Sequence, residues 1–169
     1  MIRSRSLFSL SFGALMLVGG FAVAADAPAS SEVLAKLHHS NQKEIAMGKL
    51  AQKMGQSKDV KSFGKTLVHD HTSADKKVVS LAKNEHVELQ SEDTKTDDMS
   101  SLGTGADFDA KFAQAMLDDH KKDVGEATEA RDGTTDPKLK KLLTDLVPVL
   151  QKHQDIAQKI VNQHGQANN

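Results

Sequence analysis

Three histidines stand where the pattern around them calls for an apolar side chain. His71, His120 and His153 each fall on a stripe of apolar residues recurring every three or four positions, the spacing of one face of a helix. Glu44 lies on or beside a fourth such stripe. Imidazole is the commonest nitrogen ligand for transition metals, and inward-facing imidazoles and carboxylates are how helical bundles hold them. Glu44, His71, His120 and His153 are therefore the candidate metal ligands, for zinc, copper or iron. Asp70 and Asp119 immediately precede two of the histidines as supporting carboxylates. Asp75, four residues after His71, and Asp123, three after His120, have the spacings that share a helix face. The nearby thioethers of Met47 and Met116 tilt such a site towards copper.

The same residues can also serve without an ion. A buried histidine beside an aspartate can form a hydrogen-bonded pair that fixes helix register, and this structural layer is the first reading, with the metal site as the alternative. Ferritin-type di-iron chemistry needs Glu-x-x-His on two helices. The residues three before the histidines are Val68, Leu117 and Leu150, so a metal-dependent redox enzyme ranks last. A haem held by His and Met has no attachment signal. No nucleophile elbow, phosphate loop, zinc-protease helix or glycosidase carboxylate pair is present, so no catalytic residue is assigned. His38, His39, His69, His86 and His164 fall off the stripes or near helix ends and are expected in solvent.

Four helices are needed to carry these positions. Ser30 or Ser31 can cap the first, whose inner face reads Val33, Leu34, Leu37, Asn41, Glu44, Ile45, Gly48, Ala51 and Met54 before Gly55 stops it. Ser57 caps the second, which runs to about His86 with Val60, Phe63, Leu67, His71, Ala74, Val78, Leu81 and Glu85 inward. Val87 to Gly103 is a polar connection long enough to cross a bundle, with room for one short helix around Met99 and Leu102. Thr104 and Asp107 resemble a capping box for the third helix, with Phe108, Phe112, Met116, His120, Val124 and Ala127 on one face. Asp136 and Pro137 open the fourth, whose stripe is Leu139, Leu142, Leu146, Val149, His153, Ile156 and Ile160, with a bend expected at Pro148 and an end at Gly165. Glu44, His71 and His120 then lie within about one turn (~5.4 Å) of one height, and His153 within a turn or two of them. Gly48 and Gly64, at similar heights, would let two helices approach closely. Phe63, Leu67, Val68, Asp70 and His71 match Phe112, Met116, Leu117, Asp119 and His120 at an offset of 49 residues, which suggests two hairpins related by duplication.

The segments VKSFGKTLVHDHTSA, ADFDAKFAQAMLDDHKKDV and DPKLKKLLTDLVPVLQKHQDIA, with the KEIAMGKLA run, resemble the bacterial ferritin-like family called domain of unknown function 4142. The likeness spans nearly all of Ser31 to Val161. It implies a four-helix fold and export from the cytoplasm, and no assigned activity. The expected fold class is thus all-α, a ferritin-like four-helix bundle with a long connection between helices two and three.

The ends assign a compartment. Arg3 and Arg5 precede an apolar run from Leu7 to Phe21 that closes on Ala22-Val23-Ala24, the pattern of a cleaved signal peptide over residues 1–24. A short tether (25–30), the bundle (31–165) and a disordered tail (166–169) follow. No stretch of the mature chain approaches the ~20 apolar residues of a membrane-spanning helix. Loss of Arg3 and Arg5 from 22 basic residues leaves 20 against 23 acidic, a net charge of −3 with Arg131 as the remaining arginine, which excludes a nucleic-acid partner. No cysteine, Trp or Tyr is present, so packing of an aliphatic core must carry the stability without disulfides. The sequence reads as a periplasmic or envelope bundle with a non-enzymatic structural, interaction or stress-related role. A homo-oligomer or another envelope protein is open as its partner.

Overall fold

The computed structural model describes residues 29–90 and 102–167. They form four helices, α1 (Ser30–Met54), α2 (Lys58–Asn84), α3 (Ala106–Gly133) and α4 (Pro137–Ala167). The signal peptide, most of the tether, most of the proposed crossing segment including Met99, and the last two residues lie outside the described residues. Among the described residues no strand is present, and no helix is long and apolar enough to cross a membrane.

Local chemistry caps two of the four helix starts. The Ser57 hydroxyl accepts the N–H of Val60 at 3.2 Å, and the Asp136 carboxylate accepts that of Lys138 at 2.9 Å ahead of Pro137. Two expected caps are corrected. Ser30 is already helical and Ala29 takes the cap position with no side-chain bond. Gly105, not Thr104, precedes α3, again without a side-chain cap. The carboxylate that matters there is Asp109, buried one turn into α3, which accepts the N–H groups of Gln56 and Ser57 at 2.8 and 2.7 Å. Gly165, expected to end α4, lies within it. The helix also continues through Pro148, where both Pro148 and Thr144 are exposed, so water can serve the carbonyl that proline leaves without a donor.

The Asp109 bonds also orient the bundle. They place the start of α3 beside the α1–α2 turn, so α3 runs parallel to α2 and antiparallel to α1. The connection after α2 therefore begins at one end, where Val87 and Leu89 pack, and finishes at the other, where Leu102 is buried. Around the bundle α1 neighbours α2, α2 neighbours α4, α4 neighbours α3 and α3 neighbours α1. The 49-residue match links α2 to α3, which face each other across the interior. A tandem copy of a hairpin would equate α1 with α3, so the hairpin-duplication reading is not supported.

Two apolar clusters fill the interior. One holds Leu34, Val78, Leu81, Leu139, Leu143 and Leu146. The other holds Met47, Phe63, Leu67, Phe108, Phe112, Met116 and Ile160. Leu143, Val147 and Leu150 are buried beside the expected α4 stripe while Val149 and Ile156 are half-buried, because a bundle helix meets two neighbours and needs a wider apolar face. On α1, Met47 is buried and Ile45 half-buried. Gly48 and Gly64 make the α1–α2 contact intimate: a Cβ on Gly48 would sit 2.7 Å from the Gly64 carbonyl, and one on Gly64 2.6 Å from that of Gly48.

Candidate metal centre

Between the two apolar clusters lies a polar layer. Asn41 and Glu44 reach it from α1, His71 and Asp75 from α2, His120 from α3 and His153 from α4, all buried. The three imidazole rings form a tight triangle, with centroids 5.8 Å apart for His71–His120, 5.2 Å for His71–His153 and 5.2 Å for His120–His153. One ring nitrogen from each lies within 4.8 Å of the others. Phe63 closes the triangle on the side of the aromatic cluster, 6.5 Å from His120 and 6.1 Å from His153 between ring centres.

Hydrogen bonds fix which nitrogens carry protons. His120 Nδ1 donates to the Met116 carbonyl at 2.9 Å, and a carbonyl can only accept, so that nitrogen is protonated. His153 Nε2 donates to the Asp70 carboxylate at 3.0 Å, on the same logic. His71 Nδ1 donates to the Asn41 amide oxygen at 2.9 Å. Neutral rings so anchored leave bare lone pairs on His71 Nε2, His120 Nε2 and His153 Nδ1. With both rings neutral, the last two form a hydrogen-bonding pair 3.2 Å apart that lacks a proton between them, and His71 Nε2 has no hydrogen-bond partner among the described residues.

Protonation does not relieve this arrangement near neutral pH. Burial pulls His71 down to about 3 and His120 down to about 4, with the neighbouring imidazoles adding to the fall. His153 is also lowered by burial, although Asp70 opposes it. Asp70 itself is held below the usual carboxylate range: burial would raise it, and the hydrogen bonds from His69 and His153 outweigh that. The layer thus contains three neutral imidazoles with ionised Asp70 behind one of them. A ring whose far N–H is held by a carbonyl, amide or carboxylate oxygen is how proteins orient histidine as a ligand.

The remaining predicted residues sit differently. Glu44 is buried in the layer, its Oε2 unpartnered among the described residues, and it lies outside the three-histidine group. Burial raises its carboxyl to about 8, helped by Asp119 and Asp123. Asp119 turns outward, where Lys43 Nζ donates to it at 3.0 Å. Asp70 is one residue from His71 and serves His153 instead, since neighbouring residues on a helix point apart. Asp75 accepts from His38 Nδ1 at 2.7 Å and Gln42 Nε2 at 2.6 Å. His38 is therefore largely buried, contrary to the expectation of a solvated side chain. Ser40 donates to Asp123 at 3.0 Å. Met47 and Met116 are buried in the adjoining apolar cluster. Asn41 was not read as a functional residue; an amide on an apolar stripe, one turn from Glu44, was the available signal.

Fold and layer together define the class of protein: an all-α four-helix bundle with a buried three-histidine cluster at mid-height. The chain belongs to the family described as domain of unknown function (DUF4142), whose model matches residues 20–160. Solved structures of CopM share the fold. Its Cu(I)-bound form is 16% identical, with a TM-score of 0.69 over 80% of this chain and 97% of that one. A silver-bound form obtained by soaking is 16% identical with a TM-score of 0.70, covering 81% and 97%, and the apo form is 17% identical at 0.67, covering 79% and 96%. A search of curated proteins finds no match to the sequence.

Proposed function

We propose that this protein is an exported copper-binding bundle, in which His71, His120 and His153 hold a single Cu(I) ion, or Ag(I) in its place. The observation that supports this reading best is the pair of bare nitrogens, His120 Nε2 and His153 Nδ1, facing each other at 3.2 Å. Two lone pairs repel, and a cation between them turns the repulsion into two bonds. Nitrogens ~2.0–2.1 Å from one ion sit about 3.4 Å from each other, so the pair already has ligand spacing. His71 Nε2, otherwise unpartnered, is the third donor.

Charge and shape favour a monovalent soft ion. Three neutral ligands leave the whole ionic charge in a dry interior, and the cost of burying charge rises steeply with its size. Cu(I) accepts three-coordinate imidazole ligation and leaves a net charge of +1 opposite ionised Asp70. Zinc asks for a fourth ligand. Glu44, neutral and outside the triangle, is not a first choice for it. The bound forms of CopM, which has this fold, carry copper and silver. Holding and buffering the ion is the activity that such a closed site suits, because no open coordination position is left for a substrate.

The test joins compartment and chemistry. Protein recovered from the periplasmic fraction should begin at Ala25 or Asp26 by intact mass and should bind Cu(I) at one ion per chain. His120→Ala, which removes a donor and its facing partner, should abolish this. Wild-type protein with no Cu(I) or Ag(I) uptake overturns the metal reading, and a mature chain retaining Met1 to Gly20 overturns the export reading.

A further inference from the structure

The buried triangle needs a way in. His120 and His153 are 0% exposed and His71 is 3% exposed, so an ion cannot reach it from solvent without a seam opening. Three of the four seams are closed by their own chemistry. Along α1–α2 the Gly48 and Gly64 backbones are in contact. Along α1–α3 the seam is stitched by Lys43–Asp119, Ser40–Asp123 and Lys36–Glu126. The α3–α4 pair is a closely packed hairpin. Across α2–α4, the side-chain hydrogen bond among the described residues near the triangle is Asp70–His153.

Asp70 is where that seam meets solvent. Its side chain is 21% exposed and joins two imidazoles: Oδ2 accepts from buried His153 and Oδ1 accepts from His69 Nδ1 at 2.7 Å. His69 is 81% exposed. With Nδ1 held by the carboxylate, the free coordinating atom of His69 is Nε2, which faces solvent beside a negative charge. One carboxylate therefore orients an outer imidazole in water and an inner imidazole in the core.

We infer that His69 and Asp70 form the loading port of the bundle, a surface site that captures the monovalent metal ion and passes it along the α2–α4 seam to the triangle. This rests on the metal-binding reading above. A port that is no part of the final site changes rates and leaves equilibrium alone, so loading and release must slow by the same factor when it is removed. Capture beside a charged group accelerates association by about tenfold or more, which sets the size of the effect.

The probe is Cu(I) delivered as its acetonitrile complex under anaerobic conditions. Loading is followed by rapid mixing with a chromophoric Cu(I) chelator as quench, and release by mixing the loaded protein with excess chelator. His69→Ala should bind one ion with the affinity of wild type while loading and release both slow about tenfold. His86→Ala, an exposed histidine remote from the layer, should match wild type in both rates. Wild type that binds stoichiometrically while His69→Ala shows unchanged rates overturns the port and leaves the triangle standing. A loss of equilibrium affinity in His69→Ala overturns it too, by placing His69 in the final site. Wild type that takes up no ion overturns both.

Discussion

Replacing Asn41 and His71 together by leucine should stabilise the metal-free protein. Both side chains are buried, and in the absence of an ion Asn41 Nδ2 and His71 Nε2 have no partner among the described residues. Each such buried group costs ~1–3 kcal/mol, while the single bond between the two residues returns only ~0.5–1.5 kcal/mol. Removing both partners at once eliminates two unpartnered atoms for one lost bond, a net gain of ~0.5–5.5 kcal/mol before any strain from the slightly larger leucine at position 41. For a domain of this size each kcal/mol moves the melting temperature by ~2–4 °C, so at the middle of that range, ~3 kcal/mol, the apo double variant should melt about 6–12 °C above apo wild type. The order should reverse with ligand. Wild type at a free Cu(I) concentration one hundred times its Kd gains ~2.7 kcal/mol, and the variant, lacking a donor, gains much less. Thermal melts followed by circular dichroism at 222 nm, in strong chelator and in buffered Cu(I), measure both. His71→Ala alone decides nothing, because a cavity and an orphaned Asn41 destabilise under either reading. A double variant that melts below apo wild type would show that the layer is built for stability, and the frustration argument would fail.

Stability should peak near pH 6.5. Glu44 is raised from 4.5 to about 8, so the folded state holds the extra proton between these values and stability falls as pH rises through that window. His71 and His120, lowered from 6.5 to about 3 and about 4, leave the unfolded state with the extra protons below 6.5, so stability also falls as pH drops towards 4. Glu44→Gln should remove the alkaline limb, whose slope is at most ~1.4 kcal/mol per pH unit for one proton, and urea titrations at pH 6.5 and 8 check it; an unchanged alkaline limb would show that Glu44 is ionised in the fold. Gly64→Ala should cost ~1–3 kcal/mol in the same assay, because its Cβ would lie 2.6 Å from a backbone carbonyl and 2.8 Å from the Ala51 side chain. A variant as stable as wild type would mean that the two helices separate cheaply.

The helices were legible because each carries an apolar stripe at one period and ends on residues with a local reason to cap or break it. The histidines were legible for the complementary reason, a polar type on an apolar face at mid-helix. What could not be read was which acceptor each ring uses, since that depends on how four helices are rotated against each other and not on spacing within one. Asp70 and Asp119 show the limit. They occupy matching positions one residue before a histidine, yet Asp70 closes onto His153 while Asp119 turns to Lys43. The helix at their backs differs: α2 neighbours α4, which brings a histidine, and α3 neighbours α1, which brings a lysine. His38 was misread on the same ground, because its partner Asp75 arrives from another helix.

That asymmetry bears on what the layer is for. A polar layer selected only to fix register would gain most from closing every donor on an acceptor, as the His38–Asp75–Gln42 group does within the same bundle. The triangle does the opposite. Each ring spends its one N–H on an outer anchor, at Asn41, Met116 or Asp70, and leaves the other nitrogen bare. Two of those bare nitrogens face each other, and the third has no hydrogen-bond partner among the described residues. Anchoring of this kind would preorganise the proposed cation site at the expense of the empty fold. A bundle that contains both arrangements a turn apart has the means to satisfy its buried polar groups, and the proposed ion would satisfy those of the triangle.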